Sequence, residues 1–467
     1  MQCIACFLLI VTQEMPKEIY VLFFPLDFSI FREYYIGRTF VLFILLILEM
    51  RVTDRVIFHI DCNKFFASVE CLHRPEIREC PVAVGGSVEK RHGIVLTANQ
   101  IAAGYGVKTA EPLWQAMGKC PRLIVVPPNY PLYVRFSNLA RKIYSDYTDK
   151  VESFGLDECW LDVTDNVSGF EEGAALADRI RLRIKEELGI TVSIGVSWNK
   201  VFAKLGSDYK KPDAVTVFSR ENFREKIFPL PCRDLLYVGP ATEKKLRSRG
   251  IYTIGEIAAA DPDFLCSFLG KNGYMLYAFA TGLEDSEVKN IDHQRGIKSV
   301  GNSVTAPRDL VTFEDIKLTF TVLSETVARR LRDHGLRANN VGISVRDSKL
   351  NTFTRQIALL SPTSSAEVLI KNAMKLFHTD MSEPFRVRSI GVCASDLCSA
   401  DRSVQFDMFG EVKQSERAER LEKAVDILKY RFGNDCVKRA SMLSDIKLTD
   451  FDPYEDHRVH PEGWFRL

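Results

Sequence analysis

The chain has 467 residues, 46% of them hydrophobic and 26% charged, with 62 basic against 61 acidic side chains for a net charge of +1. That balance excludes a disordered polyelectrolyte and a uniformly basic coat, and the length accommodates roughly three or four domains of ~100–150 residues. Any nucleic-acid surface must be regional: Lys200, Lys204, Lys210 and Lys211 crowd one stretch, and Lys244, Lys245, Arg247 and Arg249 another.

Residues 1–49 stand apart. Phe7 to Val11 and Phe40 to Leu48 are apolar, yet each is shorter than the ~20 residues a spanning helix requires, and no signal-peptide pattern is present. This stretch reads as translated leader ahead of a start at Met50. A membrane-associated extension is the alternative, and no stable membrane association is expected. Cys3-Ile4-Ala5-Cys6 is a lone CxxC, and the remaining cysteines lack metal-ligand spacing, so all read as reduced cytosolic thiols. Val56 to Ile60 is a continuous apolar run that ends at Asp61 and predicts a strand buried in a sheet. A helix-like segment from Lys64 to Leu72 follows, then a lobe reaching Pro128 with a strand over Arg91 to Thr97.

Next, Tyr133, Phe136, Ala140, Ile143 and Tyr147 recur at helical spacing and predict an amphipathic helix over 131–148. Apolar runs then flank Gly155-Leu156-Asp157-Glu158, which predicts a strand, a tight turn and a strand with two acids at the tip. Leu176, Ile180, Ile184 and Leu188 mark a second helix, and Val192, Ile194 and Val196 a strand. That order predicts a split βαβ sheet with helices on one face, which sets Asp61 and the hairpin tip on adjacent central strands.

Acid pairs at turns are ordinary, because Asp and Glu tolerate turns and water. Three carboxylates converging from two strands are not. Asp61, Asp157 and Glu158 would repel one another without a cation, and hard oxygen donors with open positions suit Mg²⁺ bound together with a phosphate substrate. Phosphoryl transfer is the expectation from the residues alone.

Three blocks make the expectation specific: Ile60-Asp61-Cys62-Asn63-Lys64-Phe65-Phe66-Ala67-Ser68-Val69-Glu70, Gly155-Leu156-Asp157-Glu158-Cys159-Trp160-Leu161-Asp162, and Ser193 through Lys204. In this order and spacing they resemble the signature of bacterial Y-family DNA polymerases of the DinB/UmuC group. The resemblance implies an α+β right-hand polymerase. Its parts would be a ferredoxin-like split βαβ palm over 50–64 and 129–218, small fingers over 65–128, a helical helix-hairpin-helix thumb over 219–283, a linker over 284–296, a βαββαβ little finger over 297–398 and a tail over 399–467. It also implies error-prone, template-directed DNA synthesis from dNTPs on primer-template DNA, in translesion synthesis and DNA repair.

On this resemblance Asp61, Asp157 and Glu158, with the Cys62 backbone carbonyl, hold two Mg²⁺ ions. Phe66 becomes the steric gate that excludes a ribose 2′-hydroxyl, and Lys211, just before Pro212, reaches the triphosphate. Where most relatives place a tyrosine and an arginine on the β- and γ-phosphates, this chain has Gln100 and Ala103. Gln100 retains one hydrogen bond, Ala103 removes a bidentate cation, and Lys108 or Arg91 is the available replacement. Ile94, Leu96 and Ala110 fall in the roof over the nascent base pair. Bulky Ile94 and Leu96 imply a tight roof that passes minor-groove adducts or small lesions rather than crosslinked bases.

Further along, Leu236 to Leu246 resembles a helix-hairpin-helix in which Gly239, Lys244 and Lys245 meet DNA phosphate, with Tyr237 where a first glycine is usual. Ile316, Phe320, Leu323, Val327 and Leu331 predict a helix, and Val341, Ile343 and Val345 a strand. Arg386 and Arg388, alternating about Val387, set arginines on the open face of a sheet, where they would contact duplex phosphates. Val404-Gln405-Phe406-Asp407-Met408-Phe409 resembles the peptide by which bacterial polymerases dock on the sliding clamp, with Gln405, Met408 and Phe409 as its anchors. Leu421, Val425 and Leu428 suggest one more helix, and the end from Phe451 is expected to be irregular. A cytoplasmic monomer is expected. The rival reading, favoured by Gln100 and Ala103, is a DNA- and clamp-binding accessory protein with a polymerase fold and negligible synthesis.

Overall fold

A computed structural model describes residues 54–86, 93–293, 296–381, 384–402 and 411–456. The apolar extension 1–49, Arg91 and the clamp-type peptide with Gln405, Met408 and Phe409 lie outside the described residues.

The apolar run before Asp61 forms β1, Ile57–Cys62, in which every residue is buried. Helix α1, Phe65–His73, follows. The next lobe holds β2 (Val82–Gly85), β3 (Val95–Ala98), α2 (Gln100–Gly104), α3 (Leu113–Lys119) and β4 (Ile124–Val126), with the three strands in the order β3-β2-β4 around a small core of their own. Helix α4, Tyr130–Ser145, buries the predicted Tyr133, Phe136, Ala140 and Ile143, whereas Tyr147 falls beyond its end. The acid tetrad joins β5 (Val151–Ser153) to β6 (Glu158–Asp162). Then come α5 (Phe170–Leu188), β7 (Val192–Ser197), α6 (Lys200–Tyr209) and β8 (Val215–Val217). The five strands order β5-β6-β1-β7-β8, so β1 is central and antiparallel to both neighbours.

Helices cover both faces of this sheet, not one. Val56, Phe58, Ile60 and Cys62 share a core with α4 and α5, and a Cβ added at Gly173 of α5 would reach Val56 at 2.8 Å. On the opposite face Ile57 and Trp160 pack with Ala203 of α6. Contact there is backbone to backbone: a Cβ on Gly195 of β7 would lie 1.9 Å from the Ala203 carbonyl oxygen, and one on Gly206 would lie 2.9 Å from the Gly195 Cα. A strand that is apolar at every position demands cover on both sides, so the run Val56 to Ile60 already carried this requirement.

Helices α7 (Phe223–Ile227), α8 (Pro240–Arg247), α9 (Ile254–Ala259), α10 (Pro262–Leu269) and α11 (Lys271–Thr281) share a core with Phe202, Leu205 and Trp198, so α6 is packed from two directions. A second α+β unit runs β9 (Ser299–Leu310), α12 (Phe313–Asp333), β10 (Leu336–Asp347), β11 (Thr352–Thr363), α13 (Ala366–Asp380) and β12 (Val387–Ser399), an antiparallel βαββαβ with strand order β11-β10-β12-β9. All five predicted apolar residues of α12 are fully buried there.

Helix α14, Glu411–Phe432, forms where Leu421, Val425 and Leu428 suggest it, yet Leu421 is 67% exposed. Polar contacts dock it instead: Glu422 and Asp426 pair with Arg332, and Glu419 with Arg337. Of the end from Phe451, expected to be irregular, residues 451–456 are described, and they include a short helix. Phe451 packs on the second core, and short helices α15 (Ile446–Thr449) and α16 (Pro453–Asp456) follow α14, with the Tyr454 ring 3.9 Å from the Arg329 guanidinium. No helix among the described residues is long and apolar enough to cross a membrane.

Candidate active site

Asp61 and Glu158 stand directly opposite each other across β1 and β6, and the Cys62 N–H donates to the Asp157 carbonyl at 3.0 Å. Strand alternation puts Ile57, His59 and Asp61 on one face together with their partners Trp160 and Glu158. That is the face α6 covers, so the two carboxylates sit at the end of a roofed surface. The hairpin tip is gripped by α4, whose Arg141 donates to the Gly155 carbonyl at 2.7 Å and whose Ser137 hydroxyl donates to the Leu156 carbonyl.

Burial is the largest influence on both aspartates. It raises Asp61 to about 7, with Lys211 pulling the other way and Glu158 adding to the rise. Asp157 rises to about 6, chiefly through burial and then through the charge of Asp61. Two lysines meet this negative charge. Lys211 Nζ lies 2.7 Å from Asp61 and 2.7 Å from Asp208. Lys204 Nζ lies 2.9 and 3.0 Å from the two oxygens of Glu158.

With two carboxylates turned onto lysines, no three acidic, histidine or cysteine side chains among the described residues close around one point. The donor chemistry nevertheless fits a hard divalent cation: three carboxylates and a main-chain carbonyl, two of the acids held partly protonated by burial and poised to release protons to an arriving ion.

Phe66 is half-buried, its ring stacked on Tyr133 with centroids 4.3 Å apart and planes 12° from parallel. The Tyr133 hydroxyl donates at 2.6 Å to the buried Glu70, which fixes the surface against which Phe66 rests. Leu96 packs half-buried on this same core, whereas Ile94 is 45% exposed and Ala110 is exposed in the left-handed region at φ 67°. Gln100 opens α2 in an exposed position, with Ala103 half-buried one turn on.

Away from the triad, Gly239 precedes Pro240 at the start of α8, and Tyr237 takes the left-handed conformation, φ 68°, that a glycine would adopt most readily. Lys244 and Lys245 are exposed. Arg388 lies on β12, and Arg386 precedes it, exposed, 3.7 Å from Asp309.

Three lysines of the lysine-rich stretch are turned onto acids of the protein itself. Lys200 is buried 2.6 Å from Glu152, Lys204 and Lys211 hold the triad, and Lys210 alone of the four faces solvent without an acid contact among the described residues. Sequence reasoning assigned no role to Lys204 or Asn63. Asn63 is a buried hub: it donates to Ser193 at 2.9 Å and accepts the Asp213 N–H at 2.9 Å, tying the loop that carries Lys211 to the central strands. The sequence signal for Asn63 was membership of the quoted blocks, and Lys204 had in addition its place in the basic stretch.

The sequence profile of the impB/mucB/samB family matches residues 60–208, and that of the impB/mucB/samB family C-terminal domain matches residues 297–408. The chain is 50% identical over 391 residues to DNA polymerase IV of Acetivibrio thermocellus, covering 84% of this chain and 98% of that protein. It is 35% identical over 414 residues to DNA polymerase IV 1 of Bacillus subtilis, covering 87% and 99%. Among solved structures, a Y-family DNA polymerase chimera superposes with a TM-score of 0.66 at 26% identity, covering 74% of this chain and 99% of that one.

Proposed function

The chain belongs to the impB/mucB/samB family, the Y-family DNA polymerases, and from that premise we propose how its residues carry out translesion DNA synthesis. It is a DNA-directed DNA polymerase, a nucleotidyltransferase that adds dNTPs to a primer on a template. The relatives, named as DNA polymerases, do not favour the accessory reading. The observation that carries the assignment is the cross-strand pair Asp61 and Glu158 beside Asp157, at the end of buried strands with lysines standing against the acids.

Asp61, Asp157, Glu158 and the Cys62 carbonyl would hold two Mg²⁺ ions. When bound, these ions supply activation of the primer 3′-hydroxyl and charge neutralisation of the leaving pyrophosphate. The protein's own groups do the rest. Lys211, shared between Asp61 and exposed Asp208, turns from these acids to the triphosphate, so the same ammonium guards Asp61 before binding and holds phosphate after it. Phe66, backed by Tyr133, excludes the ribose 2′-hydroxyl. Gln100 supplies the remaining hydrogen bond to the triphosphate, which Ala103 leaves without a bidentate cation. Ile94, Leu96 and Ala110 form the roof over the base pair.

Backbone N–H groups at Gly239, with Lys244 and Lys245, and the arginines Arg386 and Arg388 hold the duplex through its phosphates, without reading sequence. Gln405, Met408 and Phe409 dock the enzyme, a cytoplasmic monomer, on the sliding clamp. Primer extension with Mg²⁺ and dNTPs, run beside Asp157→Ala, tests the reading. Extension by the wild type and none by the variant is expected; equal signals would sink it.

A further inference from the structure

Lys204 has no part in the nucleotide chemistry above, yet its surroundings are those of a built contact. Its Nζ meets both oxygens of Glu158, at 2.9 and 3.0 Å, and lies 5.2 Å from the centre of the Phe154 ring. Its side chain is 18% exposed, against 33% for Lys211. The two lysines differ in kind. Lys211 is divided between two acids, one of them exposed, and a phosphate oxygen can replace either. Lys204 has Glu158 as its one acidic partner among the described residues, and it rises from a helix seated directly on β7 at Gly195.

His59 lies behind the same carboxylate, with Nε2 3.8 Å from Glu158 and without a hydrogen bond of its own. The Ser207 hydroxyl donates its single proton to the Lys204 carbonyl at 2.8 Å, so its oxygen accepts from His59 Nδ1–H at 2.7 Å. Nε2 is then a lone pair facing Glu158 and cannot hold it. Among the described residues Lys204 is the one lysine or arginine ion-paired with this carboxylate, which faces Asp61 across the strands.

We infer that Lys204 is a positioning residue for Glu158, remaining on the carboxylate while that group also meets the divalent ion, and so setting how far Glu158 leans toward Asp61. A carboxylate presents about four lone-pair sites, enough for an ammonium and a cation together. This rests on the polymerase reading of the triad. Two consequences run in opposite directions. The lysine charge repels a cation in a poorly screened site, so removing it tightens metal binding. Its loss also frees Glu158 to swing, so the chemical step slows.

The test combines Mn²⁺ titration of the DNA-free protein, read by electron paramagnetic resonance, with single-turnover primer extension, on wild type, Lys204→Met and Lys204→Arg. Thermal melting checks each fold. In Lys204→Met, Mn²⁺ should bind about threefold to tenfold tighter, while extension slows by about 10- to 100-fold. Lys204→Arg, which keeps the charge, should bind Mn²⁺ as the wild type does. Unchanged or weaker Mn²⁺ binding in Lys204→Met, or unimpaired extension, overturns the inference. If the methionine variant does not fold, Lys204→Gln carries the same requirement that affinity rise as extension falls. A wild type that extends no better than Asp157→Ala would bring down the polymerase reading instead, and the order of Mn²⁺ affinities would still judge the lysine.

Discussion

Gly195→Ala is the most severe single-methyl change the structure identifies near the site. A Cβ there would stand 1.9 Å from the Ala203 carbonyl oxygen and 2.5 Å from the Ser207 nitrogen, both main-chain atoms of α6 that no rotamer change can move. The helix must retreat by about 1 Å, and a gap of that size forfeits roughly a quarter to a half of each dispersion contact it opens. Val201, Phe202, Ala203 and Leu205 of α6 are buried and would all be loosened. Overpacking costs ~1–3 kcal/mol in general, and a clash with backbone belongs at about 3 kcal/mol or above. At ~2–4 °C per kcal/mol for a domain of this size, calorimetry should show Tm falling by about 6–12 °C. Because α6 carries Lys204 and leads into Lys211, extension should also drop by about 100-fold, the penalty expected of a 1 Å misplacement. Gly118→Ala is the control: its added Cβ meets nothing within 4 Å, it lies inside a helix, and it should stabilise by ~0.5–1 kcal/mol. A Gly195→Ala protein melting within about 2 °C of wild type would refute the backbone-on-backbone packing of β7 and α6.

Other outcomes follow from the site and, for the tail peptide, from the sequence. Phe66→Ala removes the ring stacked on Tyr133 and should raise ribonucleotide incorporation by about 100-fold relative to dNTPs, a margin typical of one steric contact; unchanged sugar discrimination refutes the gate. Ala103→Arg should lower the dNTP KM by about 10-fold or more with kcat less affected, since a charged hydrogen bond is worth ~1.5–3 kcal/mol; an unaltered KM removes position 103 from the phosphate site. Asp61 at about 7 and Asp157 at about 6 hold protons in the folded state that the unfolded chain releases near 4, so they make the metal-free protein lose stability as pH rises from about 4 to about 7. Calorimetric Mg²⁺ titration in buffers of different ionisation enthalpy should therefore detect release of about one to two protons at pH 6 and almost none at pH 8; no release at pH 6 contradicts the burial argument. Deleting Gln405 to Phe409 should abolish clamp-stimulated processivity and leave basal extension intact, and retained stimulation would reject the peptide as the docking site.

Much of the architecture follows from local pattern. A strand apolar at every position, a helix with Tyr133, Phe136, Ala140 and Ile143 on one stripe, and an acid pair between two short apolar runs each report a periodicity that neighbouring residues enforce on their own. Chain order then makes Asp61 and the hairpin tip neighbours, because few sheets accommodate that sequence of elements. Where each lysine points was beyond reach. Lys200, Lys204, Lys210 and Lys211 look alike as a charged run, yet one is buried against Glu152, two hold the triad and one faces water. For Lys200 and Lys204 the difference comes from which face of α6 meets the sheet, and Gly195 and Gly206 allow that close approach through partners about eight to twelve residues away; Lys210 and Lys211 lie beyond the helix end. The tail shows the same limit. Its helix was readable from Leu421, Val425 and Leu428, but it docks through Glu419, Glu422 and Asp426, whose arginine partners lie on distant elements. Sequence alone determined the carboxylates, their strands and the family, because these rest on short-range pattern. Tertiary structure alone decided which cations stand against those carboxylates, because an ion pair between residues 46 or 150 positions apart leaves no local trace.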